Sequence, residues 1–260
     1  MRVLGLECST SAGSVALVEG NELKAEVWFS SPRTHSERIL RGVDQVLRES
    51  LVRRQDLDGI AVGLGPGSFT GLRIALSCAK GLAFALGIPL VGVPTLEALA
   101  HNLPYSPGAV CAMLDARRET VYGGLFKRKR DGSGLESEGP CGLKDVASWV
   151  RSFSNPTVFL GDGAVAYEEK IRAILGGLAL FGPPELMHPR AAVVARLGRE
   201  RLVSGERAEL DSLVPMYLRS SEAERARGEI SAATAATDID IAEGMDYSDA
   251  STRPQRSDLV

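Results

Sequence analysis

The sequence predicts an α/β protein made of two similarly ordered halves, each opening with strands and closing with helices. Three observations carry this. Short buried apolar runs alternate with stretches of helical apolar spacing. Turn-forming residues punctuate them at short intervals. The pattern then restarts after a Pro- and Gly-bearing connection at residues 102–108.

Residues 2–8, 13–18 and 23–29 read as strands joined by the polar turns Ser9-Thr10-Ser11-Ala12 and Gly20-Asn21, an antiparallel meander. From His35 to about Ser50, the residues Ile39, Leu40, Val43, Val46 and Leu47 recur at helical spacing between charges, as in an amphipathic helix with a broad apolar stripe. Residues 59–64 suit a buried parallel strand, and a helix is predicted over 69–85. Residues 89–93 form another buried strand, after which Thr95 is expected to cap a third helix through Leu103.

The second half reads as strands over 109–114 and 120–127, with Asp131-Gly132-Ser133-Gly134 turning a hairpin onto the stretch after Leu135. Leu143, Val146, Trp149, Val150 and Phe153 mark one helix face. A strand over 157–160 ends in Gly161-Asp162-Gly163, and helices near 164–175 and 190–203 follow. The repeated order predicts a duplication, with an N-terminal lobe over 1–104 and a C-terminal lobe over 105–221. From residue 222 onward, Ile230, Ile239 and Ile241 are too sparse to bury a face, and an acidic, disordered tail is expected.

Composition narrows the function. The formal charge is −3, and residues 222–260 hold nine acids and four bases, so a tail of −5 leaves the body near +2. Neither part is a strong attractor of nucleic acid. Cysteines 8, 78, 111 and 141 show no CxxC spacing, and reduced, mostly buried thiols in a reducing cytosol are expected. Glu7 interrupts the first apolar run, which reads as a core strand rather than a leader. The longest apolar tract, 74–93, is broken by Lys80 and several glycines, so no membrane span is expected.

Gly63 to Gly71 carries a strand through Gly-Pro-Gly into a helix whose first N–H groups would point at any anion. A nucleotide phosphate near Ser9, Thr10, Gly65, Gly67 and Ser68 is one reading. The favoured one is a tight strand-to-helix connection capped by Ser68 or Thr70, since neither a Walker Lys-Ser/Thr nor GxGxxG spacing is present. In the following helix Gly71, Ala75, Ala79, Ala83 and Gly87 recur every four residues, and such strips let helix backbones approach closely. With Leu72, Leu76, Leu82 and Leu86 assigned to the chain's own sheet, the strip is expected to one side of them, facing the helix near His35, a partner chain or both. His35, His101 and His188 give no HxxxH or HExxH spacing, and no metal site is expected. Asp115-Ala116-Arg117-Arg118-Glu119 reads as a salt-bridged corner, and Lys127-Arg128-Lys129-Arg130 as a solvated rim with transient RNA phosphate contact the lesser reading.

Taken together, Glu7-Cys8-Ser9-Thr10, His35-Ser36-Glu37, the string from Gly65 to Arg73, Ala79-Lys80-Gly81-Leu82-Ala83, Asp115-Ala116-Arg117-Arg118, Gly161-Asp162-Gly163-Ala164 and Pro215-Met216-Tyr217-Leu218-Arg219 resemble the TsaB (YeaZ) family over residues 1 to about 220. The Gly65 to Arg73 string is the most specific of these. The resemblance implies a two-lobed fold of the actin, Hsp70 and sugar-kinase (ASKHA) type. It implies a cytoplasmic, non-catalytic partner of the threonylcarbamoyltransferase TsaD, joined by the ATPase TsaE, in making threonylcarbamoyladenosine at position 37 of tRNA. ATP and metal would sit on the partner subunits, and tRNA would be met only through the complex. A partner interface, with TsaD or in a homodimer, would lie on the helices over about 35–50 and 69–86. Its expected residues are His35, Ser36, Glu37, Ile39, Leu40, Val43, Phe69, Thr70, Arg73, Ala75, Ala79 and Ala83. Family members commonly carry Asp where this chain has Glu7, and the longer acid argues against independent ATP hydrolysis. A stand-alone ATPase or small-molecule kinase of the same fold is the alternative. A peptidase ranks last, because no activated nucleophile or metal set is evident.

Overall fold

The computed structural model describes residues 1–30 and 35–217, with the side chains of residues 35–37 excepted. The disorder expected of the tail lies outside the described residues.

The first sheet holds β1 (Arg2–Glu7), β2 (Ala12–Glu19), β3 (Glu22–Ser30), β4 (Gly59–Gly63) and β5 (Leu90–Val93), in the order β3-β2-β1-β4-β5. β1, β2 and β3 pair antiparallel, while β4 and β5 continue from β1 in parallel. α1 (His35–Glu49) and α2 (Phe69–Leu86) cover one face, where Leu4, Leu6, Cys8, Val15 and Leu17 point. α3 (Thr95–Ala100) leads to the second sheet, made of β6 (Ala109–Asp115), β7 (Thr120–Arg128), β8 (Leu135–Ser137), β9 (Gly142–Asp145), β10 (Thr157–Leu160) and β11 (Ala179–Phe181). Its order is β11-β10-β6-β7-β8, with β9 also on β7. β6, β7 and β8 are antiparallel and β10 and β11 extend from β6 in parallel, so the pairing of the first sheet is repeated.

The remaining helices are α4 (Val146–Val150), α5 (Asp162–Ala166), α6 (Glu168–Leu175) and α7 (Ala191–Val203). α7 packs on β1, β2, β4 and β5, covering the face of the first sheet opposite α1 and α2, whereas α3 packs on β6 and β7. Val3, Ala61 and Val91 meet Val194, Ala195 and Leu202 there. Downstream of α7 the chain stays on the first lobe, through Ala208 N–H to Leu90 C=O (2.9 Å) and Met216 N–H to Leu64 C=O (2.7 Å). Residues 191–217 thus belong with the first sheet, although their place in the sequence puts them in the second half.

Local differences have local causes. Thr95 is the first helical residue of α3, not its cap, because its hydroxyl accepts the Gly65 N–H (3.0 Å) while its own N–H goes to the Gly65 carbonyl (2.8 Å). The helix expected over 164–175 is split at Tyr167 (φ −117°), whose hydroxyl reaches Asp115 Oδ1 at 3.0 Å. Leu143 lies on β9 and is exposed. Among the described residues one helix, α2, is long and apolar enough by length and composition to cross a membrane, although it carries Arg73 and Lys80; a third of it is buried within the chain.

Candidate functional site: the outer face of two helices and the turn beneath them

The glycine string joins β4 to α2 across the end of β1. Ser68 N–H donates to the Ser9 carbonyl at 2.6 Å, and the Ser68 hydroxyl accepts the Gly71 N–H at 3.3 Å, which makes Ser68 the N-cap. A Cβ at Gly67 would collide with the Ser9 carbonyl, and one at Gly71 with the Cys8 carbonyl, so these glycines let the helix sit directly on the strand end. Two donors that an anion would use are therefore spent within the chain. Ser9, Thr10 and Gly65 are buried, while Ser68 is exposed. At the far end, Gly87 closes α2 in the left-handed conformation (φ 64°).

Of the expected partners for the strip of α2, the structure bears out the chain's own α1 and not an exposed face for a partner chain: the strip shares a core cluster with Ile39, Val43, Val46 and Leu47. Gly71, Ala75, Ala79 and Ala83 share one arc with Leu72 and Leu76, and that arc is buried against the chain's own core. Four-residue spacing places all of them within one side of the helix, so the strip does not lie beside the leucines but among them. Ile39 and Val43, on α1, are likewise buried. These five expected interface residues, Ile39, Val43, Ala75, Ala79 and Ala83, are core. What remains outward is Thr70, Arg73, Ser77, Gly81, Phe84 and Ala85 on α2, and on α1 Leu40 among the polar residues Arg38, Arg41, Asp44, Gln45, Arg48 and Glu49. Phe84 is 81% and Leu40 55% exposed. His35, Ser36 and Glu37 open α1, and their side chains lie outside the description.

A clamp that sequence reasoning missed fixes the start of α2. The Arg73 guanidinium lies 3.8 Å from the centroid of the half-buried Phe69 ring and donates from Nε to the Tyr217 hydroxyl at 2.9 Å, while Tyr217 packs 5.0 Å from Phe69. The signal was the Pro215 to Arg219 motif, whose spatial partner no local pattern reveals.

Between the lobes, Thr10 Oγ1 lies 3.3 Å from His188 Nδ1, and the imidazole packs 6.1 Å from Trp28. Burial pushes His188 below the usual histidine range, partly offset by the nearby Asp162. Asp162, itself pushed up by burial, accepts the Asp115 N–H. The Asp115 carboxylate accepts the Arg117 N–H (2.8 Å), and Arg117, Arg118 and Glu119 all adopt positive φ (64°, 55° and 60°), a tight turn that the sequence did not announce. His101 is buried, with Nδ1 on the Glu97 carbonyl and Nε2 accepting the Leu135 N–H; burial lowers its pKa. No cluster of three or more His, Cys, Asp or Glu suits a metal ion among the described residues. In the basic hairpin Lys127 faces Glu138 at 3.8 Å, and Arg128 lies over Tyr105.

Two sheets that share one five-strand order and pairing, the second with β9 added on β7, and that exchange helices define a two-lobed protein of the actin, Hsp70 and sugar-kinase kind. The family model described as TsaD: tRNA N6-adenosine threonylcarbamoyltransferase matches residues 30–227. The tRNA threonylcarbamoyladenosine biosynthesis protein TsaB of Bacillus subtilis is 34% identical over 86% of this chain and 96% of its own length. That of Escherichia coli is 32% identical with the same coverage. Among solved structures, YeaZ from Pseudomonas aeruginosa superposes with a TM-score of 0.70 at 29% identity, covering 84% of this chain and 99% of its own. A second Pseudomonas aeruginosa structure, described as similar to peptidase YeaZ, gives 0.72 at 31% over the same coverage. The chain belongs to the TsaB (YeaZ) family of tRNA threonylcarbamoyladenosine biosynthesis proteins.

Proposed function

We propose that this chain is a non-catalytic subunit that pairs with TsaD, and through it with TsaE, for threonylcarbamoylation of adenosine 37 in tRNA. The observation that carries the reading is α2: an apolar helix of 18 residues, only a third buried in its own chain. Its outward arc presents the ring of Phe84 beside the small residues Ser77, Gly81 and Ala85, so a partner helix can approach closely around that ring. The buried alanines back that arc from within, and Ser68, Thr95 and the Arg73–Tyr217 clamp hold its start in place. Such a face suits a helical bundle with TsaD or with a second copy. ATP and metal then belong to the partner subunits, tRNA is met through the assembly, and the setting is the cytosol.

Reconstitution tests this. The purified chain should turn over no ATP alone, should co-purify with TsaD, and should restore modification of tRNA when added to the other components. ATP turnover by the lone chain that vanished on substituting Ser9 or Thr10 would instead favour an enzyme of the same fold.

A further inference from the structure

Glu7 closes β1 at the point where the glycine turn and the first turn of α2 rest on it. Its side chain is 1% exposed. Oε1 accepts the Ser9 N–H at 2.5 Å. Oε2 lies against Gly63, where a Cβ would collide with it, and no group of the described chain donates to it. Among the described residues the titratable groups around it supply no counter-charge. The residue after its strand contributes the Cys8 thiol, which burial keeps neutral, with Cys78 of α2 behind it. β2 sets Ser14 opposite, β4 contributes Gly63, and the turn contributes the Ser9 hydroxyl. Across the cleft, beyond Thr10, stand His188 and Asp162. A carboxylate so placed would have the Ser9 N–H, with the Cys8 N–H and the Ser9 hydroxyl close by, but no counter-ion among the described residues, and its burial outweighs these contacts, so the group takes up a proton instead.

We propose that Glu7 is carried as the neutral acid through the neutral pH range and acts as a positioning residue that seats the first turn of α2. The connection is short. Glu7 Oε1 holds the Ser9 N–H, the Ser9 carbonyl holds the Ser68 N–H, and the Ser68 hydroxyl caps α2 at Gly71. Burial pushes the Glu7 carboxyl above its ordinary value of 4.5, in agreement with this geometry. Ionisation strengthens the bond from the Ser9 N–H itself but leaves a buried charge without a counter-ion among the described residues; movement of that charge toward water unloads the series of bonds, so the helix becomes proton-sensitive at its base. The protonation state stands independently of the proposed function; only its consequence for partner docking rests on that reading.

Because the folded chain holds this proton more tightly than the unfolded one, Glu7's contribution to stability falls as pH rises above about 4.5 until the folded pKa is reached. Full-length protein and Glu7→Gln, unfolded in denaturant between about pH 5 and 8, should differ by a folding ratio that grows roughly tenfold per pH unit in favour of Gln. The ratio cancels histidine and cysteine contributions common to both. A second readout needs no variant to fold: in glutamate-13C-labelled protein the Glu7 carboxyl, assigned through its bonds to Cys8, should keep its protonated shift at neutral pH. Protection of the Gly71 and Leu72 amides should fall as that resonance titrates, and should stay level in Glu7→Gln. A Glu7 resonance titrating near 4.5, or a folding ratio level with pH, overturns the proposal. Late titration with unmoved amide protection overturns the positioning role. If resonance and protection behave as expected while TsaD association ignores pH, the docking reading fails and this one stands.

Discussion

Ala79 and Gly81 stand two residues apart on α2 and face opposite ways, so the same added bulk at each should have opposite consequences. Ala79 is fully buried among Leu6, Val43 and their neighbours in the first core. Ala79→Leu inserts three methylene-sized groups where packing is complete, and overpacking of this kind costs about 1–3 kcal/mol. For a chain of this size that is a fall in Tm of about 2–12 °C. Gly81 is exposed, and a Cβ built there meets nothing within 4 Å. Gly81→Leu should leave the fold intact or stabilise it by about 0.8–1 kcal/mol through helix propensity, yet it fills the gap beside Phe84 that a partner helix needs. Thermal unfolding read by circular dichroism, with sedimentation velocity of the chain alone and mixed with TsaD, separates the two effects. Expected are a destabilised Ala79→Leu and a well-folded Gly81→Leu with association at least tenfold weaker. A Gly81→Leu variant that associates normally would refute the outward docking face, and an Ala79→Leu variant of unchanged Tm would refute the inward one.

Other outcomes follow from single contacts. Thr95→Val keeps the shape but leaves the Gly65 N–H without its acceptor, at a cost of about 1–3 kcal/mol measurable by denaturant unfolding. Arg73→Ala removes the stacking on Phe69 and the bond to Tyr217, so amide protection at Met216 and Tyr217 should drop while global stability falls by less than about 2 kcal/mol. His101 has its folded pKa lowered by burial, so the unfolded chain binds the extra proton first and stability is lost as pH falls below about 6.5; His101→Gln should flatten that part of the pH–stability curve.

Elements set by neighbours in sequence were legible, and those set by distant contacts were not. The strands of the first sheet, with β6, β7 and β10 of the second and a cap at Ser68 or Thr70, announce themselves by alternation, turn residues and spacing; β9, whose Leu143 fits a helix face, and the three-residue β11 do not. Thr95 looked like a cap because Thr before a helical run usually is one; a backbone 30 residues away claimed its hydroxyl instead. The small strip of α2 was visible as a period, but a period does not say which way a helix is rotated. The core took Gly71, Ala75, Ala79 and Ala83 because close approach to the Cys8 carbonyl admits nothing larger at Gly71, which turned Phe84 and Gly81 outward. The same limit hid the Thr10–His188 contact, the Arg73–Tyr217 clamp and the side of the molecule that α7 covers.

The placement of α7 has a consequence for the order of events during synthesis. The second sheet, with α3, comes from one continuous stretch between β5 and α7, and can assemble as soon as that stretch leaves the ribosome. The first sheet cannot be finished then, although its strands emerge earliest, because its uncovered face waits for α7 and the base of α2 waits for Met216 and Tyr217. A nascent chain therefore lacks a firmly seated α2 until Met216 and Tyr217 arrive, so under the proposed docking role an unfinished subunit is a poor competitor for the partner.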